Sequence, residues 1–241
     1  MVTICVGVCL GDLLHRYAAY KIALGPEPEE EDEEALKKAY AARRFSFRKY
    51  MGSSGTRAVL ERFIFILLSA ALWGLYLQIF KLNVVFLLYA FTATVLLAQS
   101  LVDWEIQELP PELNLLIGIA GLAHLMTDLS HWPEYLIGAV SVSGLFLLIG
   151  LIKYRGQEAM GGGDMKLMAA LGLLLGWKNA LLILLLGCLL GSVIHLLLMA
   201  VLKKGRVLAF GPYLSAGAII TMICGQRIID WYISLLTASM R

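Results

Sequence analysis

The chain has 241 residues, of which 59% are hydrophobic and 16% charged, and its formal net charge at pH 7 is +2. Soluble domains carry roughly 25% charged residues, so the composition excludes an ordinary soluble protein and predicts several membrane spans. The net charge itself decides little, and we expect no nucleic-acid partner. The four cysteines form no CxxC pair and lie in apolar runs, which is typical of small buried hydrophobes and not of a disulfide framework or zinc site.

The first apolar run, residues 2–10, is followed by Asp12, Arg16 and Lys21. No basic residue precedes the run, whereas a cleavable signal peptide needs a basic n-region. Residues 1–24 are therefore predicted to form a retained first transmembrane helix. Its polar groups should face the bundle or the interface, and we expect Arg16 and Lys21 to snorkel toward the cytoplasmic side.

Residues 25–61 form a hydrophilic insert in which an acidic block, 29–34, precedes a basic one, 37–44. This order complements a helix dipole and predicts a surface helix. A solvated charged face is the favoured interpretation, and a basic strip on anionic lipid is the alternative.

Uncharged runs separated by short polar turns follow the insert. Each long run can cross ~30 Å of hydrocarbon at ~1.5 Å per residue. The sequence thus predicts an all-α polytopic membrane protein of about eight transmembrane helices, with residues 62–241 as one membrane domain. The predicted spans after the first are 63–80, 82–102, 113–127, 135–152, 165–177, 179–202 and a last one from Phe210 to about Cys224. Residues 228–240 are predicted to be a separate amphipathic or peripheral segment.

Lysine and arginine in short loops set the orientation. The insert, the loop near Lys153 and the basic turn 203–206 are predicted to share the cytoplasmic side. Counting crossings puts Asp103, at the end of the third span, and Asp164, at the start of the sixth, at that same side.

Asp164 follows three glycines, Gly161, Gly162 and Gly163, and precedes an apolar run. Glycines accept backbone angles closed to other residues and allow close approach of another chain. A carboxylate at membrane depth is costly and indicates a functional site. A flexible loop with a helix-capping aspartate is the plainer alternative.

If the two helices pack together, Asp103 and Asp164 form a carboxylate pair. Two close carboxylates do not both ionise easily, so one keeps a proton. The ionised member can activate a water molecule and the neutral one can polarise a peptide carbonyl. This is the chemistry of an aspartyl protease.

Three segments, in order, resemble the type IV prepilin peptidases, which are polytopic aspartyl proteases of the GxGD class. The segments are Asp103 to Pro110 (DWEIQELP), Gly161 to Leu167 (GGGDMKL) and Phe210 to Leu214 (FGPYL). The resemblance covers roughly residue 62 to the C-terminus.

The resemblance implies that Asp103 and Asp164 are the catalytic pair. It further implies a bacterial inner-membrane enzyme that cuts type IV prepilins or pseudopilins after a glycine, between a short basic leader and an apolar helix, at the cytoplasmic face. The residues it implies as substrate-binding or loop-shaping are Gly161, Gly162, Gly163, Lys166, Pro110, Phe210, Gly211 and Pro212. For Lys166, a snorkelling interface lysine is an equal alternative.

The chain departs from that family at two points. Pro111 stands where the family often has Asp or Asn, and the insert lacks the zinc-binding cysteines of many bacterial members. Structural zinc needs about four Cys or His ligands, and residues 25–61 offer none. We therefore expect no metal and no cofactor, and we doubt that the chain methylates its product.

Two other functions are compatible with the carboxylates. An ion-coupled transporter uses such pairs as an ion site, although the sequence has no convincing repeat between halves. A structural assembly protein that has lost activity is opposed by the intact Asp103 and glycine motif. His124, His131 and His195 lack metal-ligand spacing and are expected to be packed or interfacial. The sequence does not specify an oligomeric state.

Overall fold

The computed structural model describes residues 2–24, 56–151, 153–154, 157–158, 161–202 and 209–239. This part of the chain contains eight α-helices: α1 (Val2–Leu24), α2 (Thr56–Phe80), α3 (Val84–Ile106), α4 (Pro111–Thr127), α5 (Trp132–Gly150), α6 (Gly162–Leu175), α7 (Trp177–Leu202) and α8 (Gly211–Ser239). A 3-10 turn, Leu129–His131, precedes α5. Two short strands, Lys153–Tyr154 and Gln157–Glu158, pair antiparallel before α6. The predicted all-α polytopic membrane fold is confirmed.

Six of the described helices are long and apolar enough to cross a membrane, and α4 and α6 are the two that fall short. With 14 residues, α6 covers only ~21 Å of a ~30 Å hydrocarbon core. The predicted number of about eight spans therefore corresponds to eight helices, two of them short. Both short helices begin beside the candidate site.

The last helix differs from the prediction. The sequence suggested a span ending near Cys224 and a separate segment over 228–240, but α8 is one continuous helix of 29 residues. Gly225 does not break it, because this glycine is a contact point between helices. A Cβ there would lie 2.9 Å from Oδ1 of Asn179 on α7.

The charged insert predicted over 25–61 lies outside the described residues up to position 55, and α2 begins within it, at Thr56. The basic turn 203–206 also lies outside the described residues. In α1, Arg16 pairs with Asp12 of the same helix at 3.0 Å, and Asp12 also pairs with Arg62 of α2. The Asp12–Arg62 pair links the first two helices.

Helix α3 lies at the centre of the bundle. Half of its most apolar window is buried, against a third or less for the other five spans, and it packs on α1, α2, α4 and α8. Buried polar contacts reinforce this packing, since Nε1 of Trp73 on α2 donates to Oγ1 of Thr94 on α3 at 3.0 Å. The carboxyl end of α3 carries Asp103, so the most enclosed helix positions one of the predicted catalytic groups.

Helices α5 and α6 cross at backbone contact through Gly138 and Gly172. A Cβ on Gly172 would lie 2.1 Å from the carbonyl oxygen of Gly138, and a Cβ on Gly138 would lie 2.4 Å from that of Gly172. Small residues at membrane helix interfaces permit this approach, and dispersion contacts between the backbones replace side-chain packing. The crossing fixes where α6, and therefore Asp164, begins.

We expect Gly172→Ala to lower the free energy of unfolding by ~1–3 kcal/mol or more, because the added methyl overlaps the Gly138 carbonyl and forces the helices apart. Thermal unfolding in detergent measures the effect. Gly118→Ala on α4 is the control, since its Cβ would meet Ala170 at an ordinary 4.0 Å. Equal unfolding midpoints for the two variants would contradict the close crossing.

Candidate active site

Asp103 occupies the last turn of α3 and is 5% exposed. The helix ends at Gln107, which has left-handed backbone angles (φ 58°, ψ 33°) and whose N–H bonds to the Asp103 carbonyl at 3.0 Å. Leu109 and Pro110 each precede a proline, a position that disfavours helical angles. Pro111 then suits the first turn of α4, since its fixed φ fits a helix start and no N–H is needed there. The double proline thus places Asp103 at a helix end.

Asp164 lies in the first turn of α6, which corrects the expectation of a glycine loop. Gly161 is the N-cap with extended angles, and Gly162 and Gly163 are already helical. The Asp164 N–H bonds to the Gly161 carbonyl at 3.2 Å. Among the described residues, no side-chain hydrogen bond caps the amino end of α6. The alternative in which Asp164 serves as a helix cap is therefore wrong.

The three glycines differ in their surroundings. A Cβ on Gly163 would lie 2.8 Å from Cβ of Leu109, whereas one on Gly162 meets nothing within 4 Å among the described residues. A Cβ on Gly161 would have Oδ2 of Asp164 at 3.8 Å, an ordinary contact. Close approach, and not unusual backbone angles, is what requires a glycine here, and it requires it at Gly163.

The third motif contacts Asp103 directly. The N–H of Gly211, at the start of α8, donates to Oδ2 of Asp103 at 2.9 Å. A Cβ on Gly211 would lie 2.7 Å from that oxygen and 2.9 Å from Cδ2 of Leu109. Leu109 is therefore wedged between Gly163 and Gly211, and the segments that carry the three motifs meet at this side chain.

Asp103 and Asp164 line one cavity of about 430 Å³. It lies at one face of the bundle, where α1 and α3 end and α4 and α6 begin. Its other lining residues are Lys21, Leu24, residues 106–111, Gly161, Gly162, Gly163 and Lys166. Water and an extended peptide segment both fit a cavity of this size.

The electrostatics of the cavity favour an uneven pair. Asp103 receives a backbone N–H at the amino end of a long helix, a donor that favours a carboxylate. Oδ1 of Asp164 is buried and has no hydrogen-bond partner among the described residues. The negative charge of Asp103 also acts on Asp164. Such a pair can share one proton and hold a water molecule between an acid and a base.

Not every predicted site residue reaches the cavity. Pro110 and Lys166 line it, and Lys166 is exposed. Phe210 and Pro212 are absent from its wall, and the Phe210 ring packs on Phe146 with centroids 6.3 Å apart. Phe210 is thus a packing residue that leads into α8.

Sequence reasoning missed three residues near the pair. Lys21 lines the cavity and pairs with Glu112 at 2.9 Å, so it is part of the site wall and not only a snorkelling cation. Gln99 and Asn114 are 0% and 4% exposed and hydrogen-bond to each other at 2.7 Å. The signal was available, since amides inside apolar helices are costly unless they bind partners across helices.

No histidine whose side chain the structure describes lines the cavity. His124 is buried against Tyr135 with ring centroids 5.4 Å apart, and His131 contacts Asp128 at 3.0 Å. The side chain of His195 lies outside the described residues. Among the residues the structure describes, no group of three or more His, Cys, Asp or Glu is arranged to hold a metal ion.

Comparison with known proteins identifies the segment that holds both aspartates. Residues 90–196 match the family model described as type IV leader peptidase family. Three proteins named prepilin leader peptidase/N-methyltransferase are similar to the chain over 145 to 155 residues. The protein from Aeromonas salmonicida is 35% identical over 147 residues, which are 58% of this chain and 50% of that protein. The one from Legionella pneumophila is 31% identical over 155 residues (61% and 53%), and the one from Pseudomonas aeruginosa is 34% identical over 145 (57% and 49%).

The chain therefore spans about half the length of the curated relatives it matches. No solved structure matches. These relatives give no support to an ion-coupled transporter. Over residues 90–196, which include both aspartates, the chain is similar to the type IV leader peptidase family.

Proposed function

We propose that the chain is a prepilin leader peptidase, a membrane aspartic endopeptidase of the GxGD type with Asp103 and Asp164 as its catalytic pair. The observation that carries the proposal is the shared cavity, which carboxylates from the end of α3 and the start of α6 both line. The names of the relatives support the reaction class and the substrate class.

In the proposed mechanism, the two carboxylates have different roles. Asp103, held by the Gly211 N–H, is the ionised base that takes a proton from water. Asp164 keeps the shared proton on its otherwise unpartnered oxygen and donates it toward the scissile carbonyl. The attacking oxygen adds to the carbonyl carbon and gives a gem-diol. The C–N bond of the gem-diol then breaks as Asp103 passes its proton to the leaving amine, and Asp164 takes back a proton from a gem-diol hydroxyl, which leaves the new carboxyl group.

The proposed substrate is a type IV prepilin or pseudopilin, cut after glycine between its basic leader and its apolar helix. Glu108 lines the same cavity as the two aspartates, and its carboxylate suits a basic leader. We infer three regions: a first transmembrane helix over 1–24, a cytoplasmic insert over 25–61 and the protease domain over 62–241. N-methylation of the product remains doubtful, since residues 25–61 contain neither Cys nor His.

Co-expression with candidate prepilins, followed by mass spectrometry of the pilin N-terminus, tests the proposal. The expected product is a pilin shortened by its leader up to a glycine. The same spectrum reports whether the new N-terminal residue carries a methyl group. If every candidate prepilin keeps its full length while the membrane protein is expressed normally, the proposed activity is contradicted.

We expect the cavity to face the cytoplasm of a bacterial inner membrane. In a cysteine-free background, a cysteine at Glu105, exposed beside the cavity, should resist a membrane-impermeant thiol reagent added to intact cells. A cysteine at Ser130, exposed at the opposite end of α4, should react with it. The reverse labelling pattern would invert the proposed topology.

A further inference from the structure

Below the cavity, three helices are joined by buried amide groups. Nε2 of Gln99 on α3 donates to Oδ1 of Asn114 on α4 at 2.7 Å. Nδ2 of Asn114 donates in turn to the carbonyl oxygen of Gly163 on α6 at 3.3 Å. Gln99 lies one turn before Asp103, and Gly163 immediately precedes Asp164. The series therefore runs from the helix of one aspartate to the backbone of the other.

The direction of the series is fixed by its chemistry. The carbonyl of Gly163 can only accept a hydrogen bond, so Asn114 must turn its NH₂ group toward α6. Its oxygen then faces α3 and requires a donor, which the NH₂ group of Gln99 provides. Reversing either amide would bring two oxygens together in a dry interior, where such a contact is costly.

These hydrogen bonds hold the peptide group that joins Gly163 to Asp164. Its carbonyl, from Gly163, accepts from Asn114, and its N–H, from Asp164, donates to the Gly161 carbonyl at 3.2 Å. Both ends of one peptide plane are held, and Leu109 closes the remaining side at the Gly163 Cα. Because Asp164 has a helical backbone, a fixed peptide plane before it sets the Cα–Cβ direction and limits the positions that its carboxyl can reach.

We propose that Asn114 is a positioning residue for Asp164, oriented by Gln99, and that this amide pair sets the geometry of the aspartate pair. The inference rests on the proposed peptidase function for its kinetic consequence. It does not place Asn114 in contact with substrate. A misplacement of ~1 Å in a reacting group costs on the order of a hundredfold in rate.

Two substitutions at Asn114 separate positioning from packing. Asn114→Leu keeps the approximate volume and removes the donor, so kcat for prepilin cleavage should fall on the order of a hundredfold with KM little changed. Asn114→Asp can still donate to Gly163 when its carboxyl is protonated, and it cannot when ionised. Its kcat relative to the parent protein should therefore be highest at acidic pH and fall as pH rises.

Both proteins contain the same charged groups around the start of α4, namely Asp103, Asp164, Glu112 and Lys21. Dividing the kcat of Asn114→Asp by the parent kcat at each pH removes the contribution of these shared groups. Thr92→Val is the matched control, since Thr92 is on the same helix as Gln99, 0% exposed, and its hydroxyl has no hydrogen-bond partner among the described residues. It should retain the parent kcat. A parent-like kcat in Asn114→Leu, or a pH-independent ratio in Asn114→Asp, would overturn the proposal.

A second measurement needs no substrate. The infrared carboxyl band of Asp164, identified by its loss in Asp164→Asn, should change frequency in Asn114→Leu and in Gln99→Met but not in Thr92→Val. An unchanged band in both amide variants overturns the positioning role whatever the activity. A changed band in a protein that cleaves no prepilin supports the positioning role and counts against the peptidase function alone. Gln99→Met keeps the test open if Asn114→Leu fails to fold.

Discussion

Replacing either Asp103 or Asp164 with asparagine is expected to lower prepilin cleavage by roughly 10³-fold or more, with helix content and membrane insertion unchanged. In the proposed mechanism the two carboxylates act jointly on one water molecule: one accepts its proton while the other protonates the carbonyl. Asparagine has nearly the same shape as aspartate and preserves the packing in the cavity, but it can do neither. Mass spectrometry of the pilin N-terminus after timed incubation measures the loss.

Asp128→Asn is the matched control for these two variants. Asp128 lies between α4 and α5, at the face away from the cavity, and the hydrogen bonds from His131 and Tyr135 hold the pKa of its carboxyl below the usual range. Its loss removes one charge without touching the cavity, so cleavage should continue at the parent rate. If Asp103→Asn or Asp164→Asn also cleaves at near-parent rates, the assignment of the catalytic pair fails.

The second large effect is expected at Gly163. Gly163→Ala places a methyl carbon 2.8 Å from Cβ of Leu109 and pushes apart the segments that carry the two aspartates. We expect cleavage to fall by about two orders of magnitude, the scale that follows from a ~1 Å displacement. Gly144→Ala on α5, whose methyl would meet Val140 of its own helix at an ordinary 4.0 Å, should cleave close to the parent rate. The two substitutions are chemically identical, so they isolate the contact.

Rescue provides the critical test of this contact. Leu109→Gly removes the Cβ that the new methyl meets, so the double variant Gly163→Ala with Leu109→Gly should recover part of the activity lost in Gly163→Ala alone. Neighbouring residues that clash are expected to be strongly non-additive. Purely additive losses in the double variant would mean that the alanine at 163 acts by another route.

The helices were predictable because their signal is local. Long uncharged runs and the double proline at Pro110 and Pro111 identify spans and a helix boundary without any tertiary information. The end of α8 was mispredicted for the opposite reason. Gly225 weakens a helix in isolation, but its contact with Asn179 on another helix makes the missing side chain a packing advantage.

The site residues show the same contrast between local signals in the sequence and contacts between helices. Asp103, Asp164 and the glycine motif were candidates from the sequence, since charged groups in apolar surroundings stand out. Lys21 and Asn114 were not, because their roles depend on which helices become neighbours. The glycine loop was mispredicted as well: a run of glycines reads as a flexible connection, while the structure uses it as the tightly packed first turn of α6.

The contact between Gly211 and Asp103 has a consequence for the order in which the protein matures. The donor to Asp103 belongs to α8, which follows both aspartates and all of α7 in the chain. A nascent chain that ends before residue 211 thus holds both carboxylates without the group that orients one of them. In the proposed mechanism, proteolytic activity therefore begins only once α8 has been inserted.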